Sequence, residues 1–517
     1  MARVKATDLI DYTRASNGTA LAKVSYGSEL VTNGNFDTDV SGWTAEVGVD
    51  ATVTSGEVQL LNTAAGTGRN FYQTVVTEVG KVYSVSYYCQ KTPGGTTIVF
   101  AGDSAGSSTG GDQQTVLGDG DSSFVFVAGQ ASTYITCRIG GTDGQGAIFD
   151  NISVKEVTFD QPDGTLQLFN HPTNIPRIEY DADGNLLGLL IEESRTNLIP
   201  YSEDFSAGAT TREDAGEFQG MSRKLFTKPT TSAVAYNHAF TASAGDYTLT
   251  LVMERGTNRY TSFGLLTGGW LGLARIDWDS MIIQTAAGTL QSSSVEILGT
   301  GPSGNPVARL TATINVPSAG TVQFYNYLFN STTTVENLTV YFYHQQVEAG
   351  SFPTSYIPTS GATATRAADV ASIPVSEFGY NQNQGTLFAE YKRFGDGNAW
   401  IAYLGESTNT YISLGNGNSG TAIRFQVTES GVQQASLDTA TTVTGTPYKQ
   451  AGAFKANDFA STENGNAVHT DTSGILPDGI SFLDIGEQYG NYLNGHIKSI
   501  KYYPRRLTNA TLQELTE

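Results

Sequence analysis

The stretch KVYSVSYYCQK, residues 81–91, sets Val82, Ser84 and Ser86 against Tyr83, Val85 and Tyr87. An alternation with period two marks a half-buried β-strand, because successive side chains leave a strand on opposite faces. Runs of the same kind flank it: VTSGEVQLLN and RNFYQTVVTE before, TTIVFAGDS, SSFVFVAG, STYITCRIG and AIFDNISVKEV after. Clusters of Gly, Asp and Ser separate them. Strands recurring at about 8–12 residues with such turns predict a sandwich or barrel. Residues 30–157 therefore read as a jelly roll.

The same reasoning extends outward. Residues 201–360 hold GDYTLTLVMER, NRYTSFGLL, LARIDWD, VARLTATINV, TVQFYNYLFN and NLTVYFYHQQVEAG, a second jelly roll by pattern. Residues 371–517 hold a third strand-rich block, from GTLFAEYKRF to NGHIKSIKYYPRRL. Between the first two blocks, DADGN at 181–185 is a turn signal that joins RIEY to LLGLLIEE as a hairpin. SFPTSYIPTSGATATRAADV reads as a crossing linker. The tail LTNATLQELTE is the one good helix candidate, capped by Thr508 or Asn509, with Leu512 and Leu515 facing inward. The fold class is all-β, multidomain, with very little helix.

Composition agrees with this reading. The chain has 517 residues, so at roughly 100–200 residues per domain three or four domains are expected. Its 58 Gly, 26 Tyr and 24 Phe suit turns and pleated surfaces. The formal charge of −21 leaves no basic stripe to displace counterions from phosphates, which excludes nucleic acid as a partner. Anionic membrane surfaces are disfavoured for the same reason. No run approaches the 18 or so apolar residues of a membrane span. The start, MARVKATDLIDYTRA, does not read as a secretory signal. Cys89 and Cys137, the two cysteines, sit in strand-like runs and read as buried thiols, with a disulfide between neighbouring strands as the alternative.

Three sets of residues resemble known families. LVTNGNFDTDVSGWTA and AIFDNISVKEV, the two ends of residues 30–157, resemble the carbohydrate-binding, galactose-binding-like jelly-roll superfamily. DYTRASNGT, NIPRIEYDADGNLLGLLIEESRTNLIPYSEDF and QQVEAGSFPTSYIPTSGATATRAADV resemble a pattern of tailed-phage structural and tail-region proteins. In that pattern the first two elements lie close together, whereas here 154 residues, 20–173, separate them. The resemblance thus implies a small clamp or attachment domain, residues 1–29 and 158–200, with the first jelly roll inserted. Residues 371–517, closing on LNGHIKSIKYYPRRLTNATLQELT, resemble laminin-G or concanavalin-like sandwiches.

The resemblances imply a virion component: a tail fibre, baseplate or head-fibre protein, made in the host cytoplasm and released on lysis. Its partners would be other virion proteins and a host-surface glycan, and its role non-enzymatic. The oligomeric state stays open, a homo-oligomer being one option, since no coiled-coil or β-helical stretch is present. The rival readings are a tailspike depolymerase, a ligand-free decoration protein and a secreted adhesin.

Candidate sites follow. The superfamily resemblance implies a structural calcium at Asp37 and Asp150, with carbonyls near Asn33 and Asn35; ordinary Asx turns are the alternative. Candidate glycan-stacking aromatics are Trp43, Tyr72 and Tyr88 in the first jelly roll and Trp270 in the second. A core position is the alternative for Trp43, whereas the GGWLG loop around Trp270 is harder to bury. Arg14, Arg177, Glu192 and Arg195 read as a structural network joining the halves of the clamp, since an arginine held in a fork by a carboxylate fixes orientation. The acidic pairs Glu192–Glu193 and Glu203–Asp204 invite a glycosidase reading, but with 50 acidic residues some pair always meets the required spacing. The histidines, His171, His238, His344, His469 and His496, show no zinc spacing. No nucleophile elbow, P-loop or dinucleotide fingerprint occurs.

Overall fold

The computed structural model describes residues 10–517, apart from 64–65, 116–118, 162, 204–210, 229–234, 330–337, 396 and 418–419. The chain forms two compact units, Lys23–Thr165 and a larger one of Met1–Ala22 with Leu166–Glu517. It leaves the larger unit after Ala22 and re-enters it at Leu166. Among the described residues nearly every element is a strand, and one α-helix is present, Asn509–Thr516. Thr508 caps that helix, its Oγ1 accepting from Thr511 N at 3.2 Å. Leu512 is buried and Leu515 partly so, against the sheet.

The smaller unit is a two-sheet sandwich. One sheet carries Val82–Lys91 between Gly120–Val127 and Gly146–Phe159. The other runs Thr44–Ala45, Gly66–Val76, Ser132–Gly141, Thr96–Gly102, Asp112–Thr115. The alternation in residues 81–91 is realised: Tyr83, Val85, Tyr87 and Cys89 enter the core, and Ser86 faces out. Cys89 and Cys137 are free and buried, and burial raises the Cys89 thiol to about 12.

The larger unit holds two sandwiches. In the middle one, a sheet of six strands packs on a sheet of five. The five-stranded sheet runs Ala235–Ala242, Gly320–Tyr327, Tyr260–Leu266, Trp270–Asp277, Ile282–Gly288. The C-terminal sandwich has two seven-stranded sheets. Its strands include Asp11–Thr13, which pairs with Val370–Pro374. They also include the hairpin Ile178–Tyr180/Leu186–Ile191, which pairs with Gly495–Tyr503. The segments expected to form the clamp are thus divided among several sheets. Asp11–Thr13 and the hairpin Ile178–Tyr180/Leu186–Ile191 lie at the edges of the C-terminal sandwich, where Tyr12, Leu189 and Ile191 join its core, while Gly18–Glu29 pairs with Thr165–His171 and Arg195–Asn197 pairs with Ala364–Arg366. Segments that short cannot enclose an apolar core alone, so they borrow one from the larger sheets.

Where these edge strands meet, charge is buried. Asp369, fully buried, takes an ion pair from Arg177 and one from Arg14 at 3.3 Å. It also accepts from the Tyr12 hydroxyl, and from Glu192 N at 2.8 Å. Arg14 spends further donors on the carbonyls of Ser16, His171 and Pro172, at 2.8, 3.1 and 2.8 Å. Glu192 in turn holds Arg177 at 2.8 Å and Arg366 at 3.1 Å, and accepts from Ser355 N and Oγ, both at 2.7 Å. Burial by itself raises the Glu192 carboxyl, but Arg366, Arg177 and Ser355 outweigh it and hold it at about 2. Arg14, Arg177 and Glu192 thus meet as one network. Arg195 lies apart, paired to Glu193 at 2.6 Å and stacked on Phe352.

Removing one partner of a buried, hydrogen-bonded ion network strands the others, at about 3–5 kcal/mol. Asp369→Asn is accordingly expected to lower the larger unit's calorimetric transition by that amount and to leave the transition of Lys23–Thr165 where it was. An unchanged profile would show that the network is dispensable.

Candidate functional site

The five-stranded sheet of the middle sandwich turns one face to its core and the other outward. Phe263, Leu265, Ala274, Ile276, Val322 and Phe324 point inward. By alternation Gln323, Tyr325 and Tyr327 point outward along one strand, with Ser262 and Gly264 beside them on the next. Tyr325 and Tyr327 stack with ring centroids 5.7 Å apart and planes 11° from parallel. Trp270 stands edge-on to both, at 5.7 and 6.2 Å. The three rings are half-buried.

Trp270 reaches this face through a register shift. The sequence places it in a loop, but it opens the strand Trp270–Asp277, directly after a turn closed by Thr267 N to Gly269 O at 3.0 Å. Strict alternation back from Leu273 would put Leu271 outward and Trp270 inward. The register shift between Leu265 and Leu266 sets Trp270 opposite Leu266 and turns its ring out beside Tyr325. Gly264, the neighbour of Tyr325 across the strands, puts no side chain between that ring and Leu273. The result is a half-exposed aromatic surface edged by polar groups: Gln323, which accepts from Tyr325 Oη at 3.1 Å, Asn237 and Arg275. The faces of aromatic rings carry negative charge density and attract the polarised C–H groups on the flat side of a pyranose. Amides and guanidinium at the rim can hold its hydroxyls.

The other expected aromatics divide. Trp43 is 8% exposed and lies in the core, stacked on Phe71 at 5.1 Å, with its Nε1 donating to the carbonyls of Thr32 and Asn33. It cannot be a stacking platform, because both its ring and its N–H are already engaged. Tyr72 is half-buried on the outer face of its sheet, 5.6 Å from Tyr134. Tyr88 is half-buried on the opposite outer face, across from Asp121 and Asp150. Tyr72 and Tyr88 therefore belong to different surfaces.

The oxygens expected to hold calcium already accept hydrogen bonds within the protein. Asp37 accepts from the Asn35 amide, and Asp150 accepts from Asn151 N and Nδ2 at 2.7 and 2.8 Å. The Asn33 carbonyl takes the Trp43 N–H, and the Gly34 carbonyl takes Ile152 N. Among the described residues no group of three or more His, Cys, Asp or Glu could hold a metal. A calcium at Asp37 and Asp150 would therefore take most of its six to eight oxygens or so from backbone carbonyls and water.

Of the acidic pairs, Glu192 is committed to the buried network, while Glu193 holds Arg195 and Asn494. Asp204 lies outside the described residues. Glu193 and Arg195 also line a cleft of about 530 Å³ with Ser194, Thr196, Leu198, Ala349 and Gly350. Sequence reasoning missed Tyr325, Tyr327 and Arg275. The signal for the tyrosines was present in VQFYNYLF, which carries aromatic residues in both phases of the alternation, so that some must face out.

No family model matches the chain, and no curated protein is similar to it. Among solved structures, the N-terminal CBM22-1-CBM22-2 tandem domain from Paenibacillus barcinonensis Xyn10C aligns over 62% of this chain and 97% of that chain. The identity is 13% and the TM-score 0.20, a likeness too slight to say anything of what this chain binds.

The opening loop of the smaller unit is closed by its own hydrogen bonds, the Asn33 amide reaching the Asp39 carbonyl at 2.8 Å. A chelator is therefore expected to leave the melting temperature of that unit unchanged. A clear drop that added calcium reverses would place an ion there after all.

Proposed function

We propose that this protein is a non-enzymatic saccharide-binding protein built from β-sandwich modules, and that it serves as a component of a phage virion appendage. The observation that carries the binding reading is the outward cluster of Trp270, Tyr325 and Tyr327 on a rigid sheet. Three aromatic rings gathered half-exposed on one sheet face and rimmed by polar groups are the kind of surface patch that marks a ligand site. Stacking sets the plane of the bound sugar, and Gln323 and Asn237 at the rim read its hydroxyls. No bond of the ligand is made or broken.

The virion part of the reading rests on the sequence elements that resemble phage structural proteins, those around Arg14, Arg177, Glu192 and Arg366. In this reading the sugar belongs to the host surface, the protein is made in the host cytoplasm, and other virion proteins are its neighbours.

A glycan array with the purified chain tests the binding reading. Saturable binding to at least one saccharide is expected. Trp270→Ala and Tyr325→Ala are each expected to weaken it at least about tenfold, as loss of a central aromatic contact does, with circular dichroism unchanged. No reducing ends should be released on incubation. A blank array with folded protein would instead favour a decoration or assembly role.

A further inference from the structure

The aromatic face of the middle sandwich keeps one charge. Arg275, Ser262 and Tyr327 form a row across three neighbouring strands. The Arg275 guanidinium makes one long hydrogen bond, Nε to Ser262 Oγ at 3.4 Å, and no ion pair among the described residues. Two residues along its own strand, Asp277 is already taken in a fork by Arg259, at 3.1 and 2.9 Å. Other arginines of this sandwich do find carboxylates: Arg223 reaches Glu254, Arg255 reaches Asp279 and Arg309 reaches Glu296. In a chain with 50 acidic and 29 basic residues, partners are not scarce. Arg275 is half-buried, so its donors are partly withdrawn from water without a protein anion in exchange.

The same set recurs in the smaller unit, taken by itself. On the outer face of its five-stranded sheet, Tyr72 and Tyr134 lie 5.6 Å apart. Arg138 lies on the same face, four residues along the strand that carries Tyr134, and lines a cleft of about 230 Å³ with Gly68, Thr96, Ile98 and Gly140. Arg138 donates to Asn70 Oδ1 at 3.0 Å, packs over Phe100 and has no carboxylate among the described residues. Two sandwiches thus each place a tyrosine pair and an arginine without a carboxylate among the described residues on one outer sheet face.

We infer that the ligand is an acidic saccharide, whose carboxylate is taken by Arg275 while its ring stacks on Tyr325 and Tyr327. This rests on the saccharide-binding reading above and adds the ligand's charge. A planar guanidinium matches a carboxylate with two parallel donors. The overall charge of −21 repels an acidic polymer at long range, so selection for it has to come from short-range contacts that screening by salt leaves in place.

The test is an array of uronic- and sialic-acid oligosaccharides beside their carboxyl-reduced counterparts. It is run on Arg138→Gln protein, so that the smaller unit cannot supply a preference. That protein should bind the acidic forms about tenfold or more tighter than the reduced ones, the margin expected of a charge-assisted fork. Adding Arg275→Gln should abolish the preference while binding to the reduced forms persists. Adding Trp270→Ala instead should weaken both. Equal binding of acidic and reduced forms, or a preference that survives Arg275→Gln, overturns the inference and leaves the saccharide reading intact. Binding of neither form by the wild-type protein overturns both.

Discussion

One fully buried carboxylate, Asp369, sets the architecture of the larger unit. A carboxylate taken out of water is tolerated only where donors replace the lost hydration. Asp369 finds them on three distant segments: Tyr12 and Arg14, Arg177, and the backbone at Glu192. The longest of these contacts spans 357 residues of sequence. Residues 12–14, 177 and 192 are thereby gathered around one carboxylate at position 369. Glu192 extends the same logic one step outward through Ser355, Arg177 and Arg366.

This network sits where the middle and C-terminal sandwiches join, and polar contacts carry the constraint into the middle sandwich. Asn197 accepts from Ile199 N and Val347 N and donates to the Ile357 carbonyl at 2.9 Å. Ser202 and Tyr356 share a hydrogen bond at 2.6 Å, and Thr359 donates to the Ile199 carbonyl at the same distance. The crossing segments are therefore fixed to the sheets they cross. The aromatic face lies on the opposite sheet of that sandwich, above a core that includes Trp278, Phe263 and Phe324. A stacking surface needs such a floor, because rings that reorient freely give up on ordering much of what a contact supplies.

Much of the fold was legible because strand alternation depends on local sequence alone. The all-β class, the hairpin at Asp181–Asn185 and the short C-terminal helix capped at Thr508 all follow from neighbouring residues. What was hidden depends on distant pairing. Asp369 and Arg366 lie in a stretch that reads as linker, and only the recurrence of Thr-Arg-Ala at 13–15 and 365–367 hints that both arginines serve one purpose. Trp270 looks like a loop residue because the register shift that turns it outward involves the partner strand. For Trp43 the sequence leaves a platform and a core position open, and Phe36 and Phe71 packed against it decide for the core. The acidic residues near Asn33 were placed by resemblance, and the loop proves to satisfy its own polar groups.

The central claim is that the outward rings of the middle sandwich are a saccharide site held on a rigid sheet. A crystal structure of the protein with a bound oligosaccharide tests it most directly. The account predicts a sugar ring lying on Tyr325 and Tyr327 against Trp270, with the strand positions of the five-stranded sheet unmoved. A saccharide bound elsewhere, with these three rings left in solvent, would contradict it.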